Sequence, residues 1–143
     1  MFKKNLKNEK GFTLIELIIV IAIIAIISAI LAPSFARMTA RSRLKADISS
    51  ARELTREAAL YNADKGTYPS SVTDLVNNKY IDAAPTPQTS GATFAWDGTN
   101  KRFIVDVGGN QELTDLISTL SADERNFTSN PANPSNPANP NNP

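Results

Sequence analysis

From Leu17 to Ala32 the chain is an almost unbroken apolar run in which Ser28 is the only polar residue. Continuous hydrophobicity of this length marks a membrane-spanning helix. Phe12 to Ala32 is 21 residues, roughly 31 Å of helix at 1.5 Å per residue, which spans a bilayer. After Pro33 the pattern becomes periodic. Leu44, Ile48, Ala51, Thr55 and Ala58 recur at helical steps, and Leu54 and Tyr61 widen that stripe. Arg52, Glu53, Arg56 and Glu57 fall on the solvent side. Lys65 gives a basic last turn and Gly66 a stop. Phe12 to Lys65 is 54 residues, roughly 80 Å if wholly helical. So long a helix cannot bury itself in a small domain, and its first half needs lipid or other copies of itself. Pro33 has no N–H for the carbonyl of Ala29, and its ring crowds that turn, which predicts a kink or local break over Ala29–Pro33.

The remaining residues predict a small head built on the second half of that helix. Tyr68-Pro69 opens a loop, and Ser71-Val72-Thr73-Asp74 resembles a capping box ahead of Leu75, Val76 and Tyr80. Pro85 and Pro87 interrupt regular structure. Phe94 and Trp96, an Asp97-Gly98 turn signal, then Phe103, Val105 and Val107 in alternation predict a hairpin. Gly98 to Lys101 separate the strands, so its loop is longer than two residues, and Gly108-Gly109 ends the second strand. Leu113, Leu116, Ile117 and Leu120 predict a short helix capped by Asn110. Phe94, Trp96 and Phe103 are read as core. A sheet this small is stable only when packed on a helix. The fold class is therefore α+β, a long N-terminal helix whose amphipathic second half packs against a small antiparallel sheet.

Composition narrows the chemistry. With no cysteine and no histidine among 143 residues, there is no disulfide framework, no thiolate metal site and no histidine base. A net charge of +1 gives no general attraction to nucleic acid, although DNA contact stays open for the basic cluster Arg37, Arg41, Arg43 and Lys45. That cluster is read first as a solvated face or a headgroup contact, and second as salt bridges to neighbouring subunits. Asp64, Asp74, Asp82, Asp97 and Asp106 show no calcium-loop spacing and are read as solvated loop acids. No phosphate loop or nucleophile–base pair is present, so the chain is read as a non-enzyme without cofactor, catalytic residue or metal site.

One residue does not fit an ordinary export signal. Glu16 sits at the front of the apolar run, behind a leader carrying Lys3, Lys4, Lys7 and Lys10 and ending in Gly11. A charge near hydrocarbon costs a few kcal/mol and calls for a partner. Cutting the Gly11–Phe12 bond would create that partner, an α-ammonium at Phe12 of a neighbouring copy.

These features resemble the type IV pilins and the related type II secretion pseudopilins. The resemblance runs from Lys10 to about Tyr61, through the junction KGFTLIE, the apolar segment, Pro33 and the amphipathic continuation. It implies cleavage after Gly11 by a membrane prepilin peptidase and methyltransferase, N-methylation of Phe12, and assembly through Phe12 and Glu16 into a helical filament. It also implies an assembly platform with its ATPase machinery, a cytoplasmic leader, a loosened helix at Pro33, and a mature form in a cell-surface filament. The lack of cysteine is similar to the disulfide-free pilins of Gram-positive bacteria.

The expected organisation is a leader over 1–11, a membrane or filament-core helix over 12–33, a head over 34–128 that includes the helix 34–65, and an Asn-Pro tail over 129–143. Asn-Pro recurs with period three in that tail, which favours an extended, polyproline-II-like chain without a core. Asn126-Phe127-Thr128 fits a glycosylation sequon. Two other readings remain open. One is a pseudopilin of a secretion or DNA-uptake system. The other is a secreted or anchored binding domain behind a signal peptide cut after Ser34-Phe35-Ala36.

Overall fold

The structure, a computed structural model, describes residues 12–129. The predicted leader and nearly all of the Asn-Pro tail lie outside the described residues. The elements, in chain order, are α1 (Leu14–Lys65), α2 (Val72–Asn77), β1 (Thr93–Asp97), β2 (Arg102–Asp106), α3 (Gln111–Ser118) and α4 (Ala122–Arg125). This is the expected α+β, pilin-like arrangement of a long apolar N-terminal helix and a two-stranded antiparallel sheet. The chain divides into two units, one ending at Ala36 and one starting at Arg37.

In the first unit every described residue is exposed. The helical assignment of α1 continues through Pro33 without interruption, although that proline leaves the Ala29 carbonyl without its usual donor.

The second unit holds the core. The buried residues of α1 there are Leu44, Asp47, Ile48, Ala51, Leu54 and Ala58, five of them apolar residues of the predicted stripe. Leu44, Ile48 and Ala51 pack with Val105, Val107, Leu113, Ile117 and Leu120, while Leu54 and Ala58 pack with Leu75 and Phe103. Full burial of a side chain such as Leu44, Ile48 or Phe103 stabilises by about 1.5–3 kcal/mol. The helix stops where the sequence places its end. Gly66, at φ +74°, donates its N–H to the carbonyl of Asn62 at 2.9 Å, a left-handed position that suits glycine best.

The hairpin pairs Phe94 with Val105 and Trp96 with Phe103, across a loop from Gly98 to Lys101. Phe103 is fully buried, and Phe94 and Trp96 are half-buried against the core. Trp96 meets Phe103 edge-on at 5.0 Å and stacks on Tyr68 at 5.6 Å. Thr55 ties α1 to β2: its hydroxyl accepts from the Phe103 N–H at 2.9 Å and donates to the Ala51 carbonyl at 2.8 Å. A third segment joins the sheet in parallel. Val105 donates to the Phe127 carbonyl and accepts from the Ser129 N–H, which buries Thr128 of the sequon motif together with Ser129.

Of the loop acids read as solvated, Asp97 departs from that reading, and Asp47 of α1 is a second buried acid. Asp97 is buried because its carboxylate accepts from the N–H groups of Thr99 and Asn100 and from the Asn100 amide, folding the hairpin loop around itself. Asp47 lies on the buried face of α1 and takes the N–H groups of Gln88 and Thr89, each at 2.8 Å. It thereby anchors the proline-containing segment ahead of β1. Asp74 does cap α2, accepting from Ser71 N–H and from both N–H and hydroxyl of Ser70. The Ser70 hydroxyl and N–H, then Ser71, hold its carboxyl below the usual range.

Candidate functional site

The N-terminal end of α1 carries the residues that the sequence singles out. Gly11 lies outside the described residues, so the expected cleavage position is described only on its downstream side. Phe12 is 88 % exposed, and the large apolar side chains of Leu14, Ile15, Leu17 and Ile18 after it are exposed as well. Among the described residues α1 is the one helix long and apolar enough to cross a membrane.

Thr13 begins that helix as a reciprocal cap. Its carbonyl accepts from Leu17 N–H at 3.3 Å, and its hydroxyl accepts from Glu16 N–H at 3.3 Å. Glu16 returns the contact: its Oε2 accepts from the backbone N–H of Thr13 and from the Thr13 hydroxyl, both at 2.8 Å. This is a Thr-x-x-Glu capping box, which satisfies orphan N–H groups of the first turn and sets an anion at the positive end of the helix dipole. The spacing T-L-I-E is the sequence signal of this cap. Both bonds converge on Oε2, and Oε1 has no donor among the described residues. No cation pairs with Glu16 there either, since the ion pairs are Lys45–Glu124 and Arg52–Asp123.

The second unit shows where the basic cluster goes. Arg41 donates to the Thr119 carbonyl at 3.0 Å, Lys45 meets Glu124 at 2.9 Å, and Arg52 pairs with Asp123. Arg52 and Arg102 also lie over the Phe127 ring, at 5.1 and 5.6 Å from its centroid. These contacts strap the segment after α3 onto α1. Lys45 is thus ion-paired within its own chain, whereas Arg41 gives one N–H to its own chain and keeps the rest of its guanidinium, with Arg37 and Arg43, for the solvated, headgroup or intersubunit reading. Glu124 caps α4 through Ser121. Its hydrogen bond from Lys45, followed by those from Ser121, lowers its carboxyl to about 2. Tyr80 donates its hydroxyl to Asp64 at 2.7 Å, and that bond above all raises the phenol to about 12.

The Prokaryotic N-terminal methylation motif matches residues 6–32. The fimbrial protein EcpC of Eikenella corrodens is 39 % identical over 80 residues, covering 52 % of each chain. The chain therefore spans about half the length of that curated relative. No solved structure matches the chain. Taken with the capped carboxylate at the head of an exposed apolar helix and the small sheet on its second half, these likenesses make the chain similar to the type IV pilins, most clearly over its N-terminal segment.

Proposed function

We propose that the chain is the precursor of a pilus filament subunit, cleaved after Gly11, N-methylated at Phe12 and polymerised through the apolar half of α1. The observation that carries this reading is Glu16: a carboxylate at the mouth of an apolar helix, capped by Thr13, with Oε1 open and no cation among the described residues. A neighbour's Phe12 ammonium supplies the missing charge.

Three stages follow. The apolar helix first anchors the precursor in the membrane, leader inside and head outside. A prepilin peptidase then removes residues 1–11 and methylates the Phe12 amine. The helix finally leaves lipid for the filament centre, delivered by an assembly platform and its ATPase. Both surroundings are apolar, so the transfer exposes none of that surface to water, and close packing of Ile, Val, Leu and Ala holds the bundle. Pairing of Glu16 with Phe12 selects register more than it adds stability, because an unpaired buried charge is strongly disfavoured whereas a satisfied pair gains little. Pro33, which leaves the Ala29 carbonyl free, is the place where the helix loosens on assembly.

The test is Glu16→Leu in cells that make no other pilin, scored by electron microscopy of surface filaments. Membrane insertion should persist and filaments should disappear; normal filaments would refute the pairing.

A further inference from the structure

The head contains a cavity of about 580 Å³ that the assembly reading does not use. One wall, from α1, carries Arg37 and Arg41. The other, from α3, carries Glu112 and Asp115, with Met38 and Leu116 as the apolar lining. Arg41 gives one N–H to the Thr119 carbonyl at 3.0 Å, which fixes its guanidinium in the wall. The Asp115 carboxylate takes the amide of Gln111, at 3.2 Å, and no second donor among the described residues. Among the described residues none of these four charges closes into an ion pair, since the ion pairs lie elsewhere in the head. Two cations from α1 and two anions from α3 thus line the same space without an ion pair between them.

An occupant that completes this arrangement carries an anion and a cation of its own. We propose that the cavity receives the phosphoethanolamine headgroup of a membrane phospholipid, with its phosphate on Arg37 and Arg41 and its ammonium on Glu112 and Asp115. Guanidinium groups bind phosphate oxygens through charge-assisted bonds, and a primary ammonium has three protons to give carboxylates. A choline headgroup has no N–H to donate. A glycerol headgroup has no cation, and its phosphate would face Glu112 and Asp115 with nothing to neutralise them. The lipid source rests on the anchored-precursor reading. Arg37 follows the last residue of the apolar run, Ala32, by five positions, and helical side chains lean toward the N-terminus, which here is the bilayer side.

The full chain in detergent micelles, titrated with single phospholipids and followed by native mass spectrometry, tests this. One phosphatidylethanolamine per chain should be retained, about tenfold more strongly than phosphatidylglycerol, as charge-assisted bonds to two carboxylates imply. Phosphatidylcholine should fall between them. The double variant Glu112→Lys, Asp115→Lys should reverse the order in favour of phosphatidylglycerol, and Arg37→Ala should weaken retention of both. All three positions are exposed, so the fold should survive, which circular dichroism checks. Phosphatidylglycerol retained as well as phosphatidylethanolamine by the unaltered chain would overturn the proposal, as would an unchanged order in the double variant. Displacement by soluble phosphoethanolamine as effective as by the lipid would overturn the membrane source. Anchoring is scored separately, by co-sedimentation of the same chain with vesicles, so loss of anchoring and loss of headgroup preference are told apart.

Discussion

The carboxylate of Glu16 accepts two hydrogen bonds from Thr13, both on Oε2, from the backbone N–H and from the hydroxyl. The acid at the front of the apolar helix is thus held in one orientation by its own helix cap, and its other oxygen has no donor among the described residues.

Thr13→Val removes the hydroxyl and leaves the backbone bond. Loss of a threonine cap costs roughly 0.5–2 kcal/mol, and here that loss is confined to the first turn of α1. Amide exchange at Leu14 to Leu17 in micelles should accelerate by roughly two- to thirtyfold, with exchange in the head unchanged. An unchanged rate at those amides would show that the Thr13 hydroxyl does not hold the turn.

Asp47 is a buried acid whose two oxygens satisfy the N–H groups of Gln88 and Thr89. Asp47→Ala strands both donors away from water, at about 1–3 kcal/mol for each unsatisfied group. Asp47→Asn keeps one acceptor and should cost less than the alanine variant. Denaturant midpoints of the two variants check the order, and equal midpoints would contradict the anchoring role.

Leu44 is fully buried in the larger core cluster, so Leu44→Ala should lower head stability by about 2–5 kcal/mol. Leu60 lies on the same helix but is 55 % exposed, and Leu60→Ala should change it by less than about 0.5 kcal/mol. Chemical unfolding of the two variants side by side tests which face of α1 supports the head.

Glu124 and Tyr80 set opposite ends of the pH profile. The carboxyl of Glu124 is lowered from 4.5 to about 2, so its contribution is present above pH 4.5 and fades as pH falls toward 2. The phenol of Tyr80 is raised from 10.0 to about 12. Its neutral form is the one favoured by folding, so its contribution is present below pH 10 and lost as pH rises toward 12. Thermal melts of Glu124→Gln should lose acid sensitivity in the lower window, and Tyr80→Phe should lose alkaline sensitivity in the upper one. Melts that match the unaltered chain in either window would remove that assignment.

Several features were legible in the sequence because each has a local cause. Gly66 ends α1 by its own left-handed conformation, and Asn110 caps α3 by accepting from Glu112 and Leu113 N–H, as its position predicts. The hairpin loop has the expected length because Asp97 and the residues after it fold on themselves. What stayed hidden depends on distant partners. Asp47 sits three residues after Leu44, on the buried face, but a polar residue there is conventionally assigned outward until Gln88 and Thr89 are seen against it. The four-residue α4 is too short to show periodicity. Without α4 the strap from Thr119 to Ser129 could not be foreseen, so Arg41 and Lys45 looked solvated. The Thr13 cap has a local cause as well, because the spacing T-L-I-E places Glu16 three positions after it.

The proposed assembly depends on processing at the Gly11–Phe12 bond. Intact mass and N-terminal sequencing of the chain recovered from sheared surface filaments test it most directly. The prediction is a chain beginning at an N-methylated Phe12. A chain beginning at Met1, or at Arg37 as an ordinary signal peptidase would leave it, would contradict it.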